Sequence, residues 1–375
     1  RRFFELAEEM DDVISLGVGE PDFSAPWKAR AAAIHSLERG RTSSTTNQGM
    51  YDLRGAISEH VTRYDLAYGP DEEILVTTGA SEAVDLALRA IVDPGDTVAI
   101  QSPAYISYGP GVRFSGGQPL PVTTRVENDF VLTYDDLERA GAADAEALMI
   151  CYPNNPTGAT ASEHELAEIA EFAREHDLTV LSDEIYAGLT YDGDHTSIAT
   201  LPGMRERTIV FNGFSKAYAM TGLRLGYALG PAEAIDAMNR IHQYTMLSAP
   251  TTAQYAALEA LQSCDDDVTE MRTQYDRRRR FVISRFRDMG LDCFEATGAF
   301  YAFPEAPYDD EQFAEDLLHE QGVALVPGRV FGEEGYGHLR VSYATGMSEL
   351  KEARKRNQKN PEEHFRPEPT AHRHK

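Results

Sequence analysis

The chain has 375 residues, 42% of them hydrophobic and 26% charged, with 29 glycines and 19 prolines, which is the composition of a globular protein long enough for two domains and a large core. Acidic residues outnumber basic ones 61 to 35, and the resulting net charge of −26 repels nucleic acid and anionic lipid, excluding both as partners. No apolar run reaches the ~20 residues of a membrane span, and three scattered cysteines (Cys151, Cys264, Cys293) make neither a disulfide framework nor a metal cluster, which suits a reducing cytoplasm.

The first residue is Arg1 rather than methionine, so the true start is expected upstream, and residues 1–6 lack the apolar centre of a signal peptide. Residues 2–9 read as a short amphipathic helix and Val13–Leu16 as a strand. Gly17-Val18-Gly19-Glu20-Pro21-Asp22-Phe23 is a turn-rich loop whose glycines let backbone groups approach a ligand. Pro26 opens a helix through Leu37. From residue 50 the patterns alternate: helix 53–68, strand 74–77, helix 81–91 and strand 97–100. Further strands are predicted at 118–122, 147–151, 179–182 and 207–211. Short apolar strands alternating with helices predict a three-layer αβα unit around a mostly parallel sheet, with ligands beyond the carboxyl ends of the strands.

After residue 262 the pattern changes. A charged helix over about 267–288 precedes short strands near 291–294, 299–303, 323–326 and 338–342, which reads as a smaller α+β domain. The expected division is an N-terminal segment 1–40 joining the small domain, a large domain 41–262, a small domain 263–350 and an atypical tail 351–375. That tail carries eight Lys/Arg and four Asp/Glu, a charge of +4, so residues 1–350 hold −26 − 4 = −30. Diffuse acidity of this kind suits a halophilic source, where salt screens the self-repulsion.

The candidate chemistry lies at strand and helix ends. Lys216, in Phe214-Ser215-Lys216-Ala217-Tyr218, sits among small, apolar and hydroxyl residues. Low polarity disfavours its ammonium form, so the amine can act as a nucleophile and form a Schiff base with an aldehyde such as pyridoxal phosphate. Thr78-Gly79-Ala80-Ser81 follows a strand and opens a helix, a place for a phosphate, although Ser81 also reads as a plain N-cap. Tyr105, after the next strand, can stack on a planar ring or simply pack. Asn155, in Asn154-Asn155-Pro156-Thr157-Gly158, can donate to a ring oxygen, and so can Tyr186. Asp183, at the end of a strand, can keep a pyridine nitrogen protonated, which makes the ring an electron sink. Arg224, eight residues after Lys216, suits a bidentate phosphate contact, with the Ser215 hydroxyl beside it. Arg340 stands inside the apolar strand Leu339–Ser342, where burial requires that a carboxylate of protein or substrate meet it.

With these motifs, and with Gly298-Ala299-Phe300-Tyr301 and Val326-Pro327-Gly328, the chain from Gly17 to about Met347 resembles the fold type I pyridoxal-phosphate aminotransferases of class I/II, the aspartate and aromatic aminotransferase kind. The resemblance implies pyridoxal 5′-phosphate as cofactor and Lys216 as its covalent attachment and proton shuttle. It implies Asp183 on the ring nitrogen, Asn155 and Tyr186 on the phenolic oxygen, and Tyr105 stacked on the ring. Ala80, Ser81, Ser215 and Arg224 hold the phosphate, and Arg340 with the Gly19 backbone takes the substrate α-carboxylate. It further implies a homodimer with the site at the subunit boundary, and transfer of an amino group from an L-amino acid, aspartate or aromatic, to a 2-oxo acid such as 2-oxoglutarate by a ping-pong mechanism. Alanine stays open as donor. The alternative within the fold is a β-eliminating C–S lyase, and outside it a non-catalytic regulator, for which the residues before Gly17 are too few to form a DNA-binding module. Two positions depart from the family pattern: Ser44 stands where a tyrosine reaches the neighbouring subunit's phosphate, and Leu223 where tryptophan is frequent. The tail also departs, because proline interrupts the expected closing helix.

Overall fold

The computed structural model describes residues 12–357, so the helix expected over 2–9 and the tail beyond residue 357 lie outside it. In chain order the elements are β1 (Ile14–Ser15), α1 (Trp27–Glu38), α2 (Tyr51–His60), β2 (Ile74–Thr77), α3 (Gly79–Ile91) and β3 (Thr97–Ser102). Next come α4 (Tyr108–Phe114), β4 (Gln118–Thr123), α5 (Tyr134–Ala140), β5 (Ala147–Cys151), α6 (Glu163–Glu175), β6 (Thr179–Asp183), β7 (Thr208–Gly213) and β8 (Gly226–Leu229). The remainder is α7 (Ala232–Thr245), α8 (Thr251–Ser263), α9 (Asp265–Asp288), β9 (Tyr301–Ala302), α10 (Asp310–Gln321), β10 (Val323–Ala324), β11 (Val326–Pro327), β12 (Leu339–Ser342) and α11 (Met347–Asn357).

A seven-stranded sheet in the order β2-β8-β7-β6-β5-β3-β4 organises the larger part of the chain. Every strand runs the same way except β8, which is antiparallel to both of its neighbours. Burial on both faces explains the unbroken apolar strands. In β5, Leu148 and Ile150 pack with Leu166, Ile169 and Phe172 of α6. Ala147, Met149 and Cys151 face the other way, toward Ala83 and Leu86 of α3 and Met238 of α7. Helices on both faces give the expected three layers around a mostly parallel sheet.

The later elements form a second core, in which Met271, Tyr275 and Ile283 of α9 meet Phe300, Tyr301, Leu317, Val341 and Tyr343. A three-stranded antiparallel sheet, β11-β12-β9, runs through it, and β1 pairs in parallel with β10. The chain thus threads β1 through the later elements before it enters the large sheet, leaving Gly17–Phe23 suspended between the two cores.

Three expectations need correction, and one strand was not anticipated. The helix predicted over 53–68 stops at His60, tightens to a 3₁₀ turn over Val61–Tyr64, and breaks where Asp65 turns left-handed at φ 57°. The apolar periodicity continues beyond that point because Leu66 and Tyr68 are buried although they lie outside any helix. Near 291–294 there is a single bridge, Cys293 to Pro304, whose proline has no N–H to extend a ladder. Strand β8 carries no β-branched residue and so gave no strand signal; it begins with Gly226, where a Cβ would lie 2.4 Å from the Ala80 nitrogen. Residues 351–357, expected to be tail, continue helix α11, which buries Leu350 and Ala353 and is held by an Arg356–Asp12 ion pair of 2.8 Å.

Candidate active site

Beyond the carboxyl ends of the strands lies a cavity of about 800 Å³. Its lining includes every residue assigned from the sequence to holding cofactor or substrate, Gly19, Ala80, Ser81, Tyr105, Asn155, Asp183, Tyr186, Ser215, Lys216, Arg224 and Arg340, but neither Ser44 nor Leu223. Positions up to 321 apart in the chain therefore converge on one volume.

Lys216 follows the end of β7. Its Nζ donates to the Gly19 carbonyl at 2.7 Å and lies 5.8 Å from the Tyr186 ring centre and 5.7 Å from that of Phe300. Burial pushes its pKa down to about 8, with Arg340 and Arg224 adding to the depression and Glu20 opposing it. About a tenth of the side chain is thus a free amine at pH 7, far more than for an ordinary lysine, as nucleophilic attack requires.

Asp183 ends β6 and is buried. Its Oδ2 accepts from the Tyr108 hydroxyl at 2.7 Å, and its Oδ1 accepts from the Ile185 N–H at 3.1 Å. Burial raises its pKa, while these two donors pull it back. A cation at the ring nitrogen of a ligand would supply what the carboxylate lacks here. Sequence reasoning missed Tyr108, since nothing local marks a tyrosine that opens a helix as a carboxylate's partner. Tyr105, three residues earlier, meets it edge-on with ring centres 5.6 Å apart.

The phosphate side is built by close backbone approach. Gly79 has φ +77°, and a Cβ there would sit 2.7 Å from Arg224 Nη2. Arg224 itself is left-handed at φ 52° and donates to the Thr221 carbonyl at 3.0 Å. Among the described residues it makes no ion pair, so its guanidinium faces the cup without an anion. The N-cap of α3 is Thr78, not Ser81, and its side chain makes no capping bond. The first-turn N–H groups of α3 and the Arg224 guanidinium together offer a donor set for a phosphate.

Arg340 on β12 is buried between the rings of Tyr301 and Phe331, 4.6 and 4.7 Å from their centres. Its Nη1 donates to Asn155 Oδ1 at 3.0 Å and its Nη2 to the Gly17 carbonyl at 2.6 Å, while its Nε has no partner. Of the two sources of a carboxylate anticipated from the sequence, the protein supplies none among the described residues. With its Oδ1 occupied, Asn155 keeps its amide nitrogen as donor. The Tyr186 hydroxyl meets that of Tyr301 at 2.9 Å. Gly19 fits only as glycine, because a Cβ there would come 2.3 Å from Tyr301 Oη.

The loop supplying Gly17 and Gly19 is fastened by a contact that sequence reading did not find. Arg278 of α9 binds Asp22 with both terminal nitrogens, at 2.7 and 3.0 Å, and lies over the Phe23 ring.

A reactive amine, a buried ring-side carboxylate, an uncapped helix start with a free guanidinium, and a buried arginine awaiting a carboxylate define a cofactor-assisted enzyme of amino acids. The sequence profile of the family described as aminotransferase class I and II matches residues 11–356, and the chain belongs to that family. It is 52% identical to a Bacillus subtilis protein assigned as an aminotransferase, YugH, over 94% of this chain and 92% of the other. It is 43% identical to an aspartate aminotransferase of Pyrococcus abyssi, over 96% and 94% of the two chains. The solved aromatic aminotransferase of Pyrococcus horikoshii superposes with a TM-score of 0.90 at 42% identity, over 94% of this chain and 97% of the other. The protein is therefore an aminotransferase that uses pyridoxal 5′-phosphate, and the residues lining the cavity fit that group.

Proposed function

We propose that the protein moves the amino group of an L-amino acid to a 2-oxo acid such as 2-oxoglutarate by a ping-pong mechanism, as a cytoplasmic homodimer. The single observation that carries the substrate reading is Arg340, a buried guanidinium in the cavity wall that no carboxylate of the described residues meets. Pyridoxal 5′-phosphate, when bound, supplies an aldehyde that condenses with amines and a ring that accepts the electron pair left at the substrate Cα. Asp183 would hold the ring nitrogen, Asn155 and Tyr186 its phenolic oxygen, and Tyr105 its face. Ala80, Ser81, Ser215 and Arg224 would hold the phosphate. Arg340 binds the α-carboxylate and so fixes which Cα bond faces Lys216. Lys216 takes the proton from the donor's Cα as a neutral amine and, in the second half-reaction, returns one to the acceptor's Cα. Both half-reactions use the same groups, so the first product leaves before the acceptor binds.

For the donor side chain, the relatives are named for aspartate and for aromatic substrates. The cationic groups lining the cavity, among the described residues, are Lys216, Arg224 and Arg340, each already engaged in this scheme. Val18, Ile106 and Val330 line it with about half of their surface exposed, beside Phe331. That apolar rim supports an aromatic donor over aspartate. Phe114, which also lines the cavity, is 76% exposed, which supports a second copy covering it.

Two measurements test this. A screen of single amino acids, following loss of the bound cofactor's visible absorbance, is expected to give the largest response with aromatic donors; a response confined to aspartate overturns that preference. Lys216→Ala is expected to lose both that absorbance and multiple turnover, and sustained multiple turnover in the variant would sink the assignment.

A further inference from the structure

Behind the phosphate cup lies a buried ionisable pair that has no part in the scheme above. His242 of α7 is fully buried, and its Nδ1 meets Glu82 Oε1 at 2.7 Å. Its Nε2 is buried without a partner among the described residues. A neutral ring with its proton on Nδ1 leaves only a lone pair unmet at Nε2, whereas an imidazolium would strand an N–H there, so the arrangement favours the neutral tautomer donating to Glu82. The other oxygen, Glu82 Oε2, accepts the backbone N–H of Thr78 at 2.5 Å. Both carboxylate oxygens are thus spent, one on the buried face of α7 and one on the residue that caps α3.

Two other helices of this chain show what this start of α3 withholds. At α5 and α6 the caps Thr133 and Ser162 have ψ of 163° and 164°, and each accepts from the N–H three residues on in a full capping box. Thr78 has ψ 72° and its hydroxyl makes no such bond. The acidic partner stands one residue later than in those boxes, and takes the cap's N–H without the reciprocal bond. Gly79 then turns through φ +77° beneath Arg224. The result is half a capping box, which orders the turn but leaves the first-turn N–H groups of α3 without an acceptor among the described residues.

We propose that the Glu82–His242 pair is a positioning device for the cofactor phosphate. It holds the Thr78–Gly79 turn in the bent form that keeps these N–H groups free for an anion and stops Thr78 from capping the helix itself. The inference rests on the assignment of the phosphate to Ala80, Ser81 and Arg224.

The test uses the holoenzyme and two readouts apart from turnover: the ³¹P resonance of the bound cofactor and its rate of release after dilution. Glu82→Ala is expected to shift the resonance and speed release at least ~10-fold, the worth of one charge-assisted hydrogen bond. Glu82→Gln is expected to depart less, within ~5-fold of the parent, since its carboxamide oxygen still accepts from Thr78, although its nitrogen can meet His242 only in the tautomer that leaves an N–H unmet at Nε2. His242→Asn, which loosens the anchor but leaves the carboxylate, is expected to fall between the two and keeps the test open if Glu82→Ala does not fold. A parent-like resonance and release rate in Glu82→Ala and His242→Asn, with only the melting temperature lowered, would show a merely structural pair and overturn the proposal. Arg224→Ala separates the two levels: if it too leaves the resonance unmoved, the phosphate assignment itself has failed, whereas a shift there with none at Glu82 removes only the positioning role.

Discussion

At the scale of single residues, Lys216 carries the most direct expectation. Its amine is depressed to about 8 mainly by burial, so in cofactor-free protein its modification by an amine-selective reagent should rise with pH about a midpoint near 8, well below surface lysines. Glu20→Gln removes an opposing charge and should move that midpoint lower still. The folded chain binds this proton less tightly than the unfolded chain does. Stability of the cofactor-free protein should therefore rise with pH from about 8 toward the ordinary lysine range, with no further gain from this group above it. A midpoint near 10 would contradict the burial argument. Lys216, Asp183 and Arg340 were legible in the sequence because each is a charge set at the end of, or within, an apolar run. Tyr108, Glu82 and His242 were not legible, because their significance lies in partners 75 and 160 positions away, and no local pattern reports such a pairing.

At the scale of elements, the loop Gly17–Phe23 depends on α9 for its position. The Arg278 side chain is 8% exposed and that of Asp22 28%, so removing the arginine leaves a largely covered carboxylate without its partner. Arg278→Met should cost about 2–3 kcal/mol of stability in denaturant unfolding. The same change should raise KM for the donor more than it lowers kcat, because the carbonyls of Gly17 and Gly19 that accept from Arg340 and Lys216 lose their support. An unchanged KM would mean that the loop is held by its packing on Tyr301 alone. The strands of the large sheet were readable because burial on both faces makes them continuous apolar runs. Strand β8 was hidden, since the requirement at Gly226 is to let Ala80 approach and not to favour a strand. Helix 53–68 was overdrawn for the converse reason: apolar spacing persists after Asp65 although the backbone has left the helix.

At the scale of the whole molecule, residues 1–350 carry a charge of −30 against +4 on the remainder. Some acids gather round a cation, as where Arg329 meets Asp309, the buried Asp310 and Glu311, and the exposed pairs of such a group weaken with added salt. Relief of the general self-repulsion is the larger effect. The melting temperature should therefore rise from low to molar potassium chloride, and a fall would argue against salt adaptation. Class of fold and cofactor chemistry were legible from motif order, but the donor's side chain was not, since the rim at Val18, Ile106 and Val330 is assembled from three separate loops.

The antiparallel run of β8 has one more consequence. Lys216 and Arg224 lie on the single connection between β7 and β8, whose ends are pinned where Gly213 pairs with Gly226 and Gly226 with Thr77. That hairpin is a ruler: it fixes the span between amine and guanidinium and ties both to the start of α3. Length variation is therefore intolerable in this stretch. One residue inserted between Lys216 and Arg224 should empty the protein of cofactor, whereas one inserted beside the exposed Gly193, which has open space around it, should leave cofactor content unchanged.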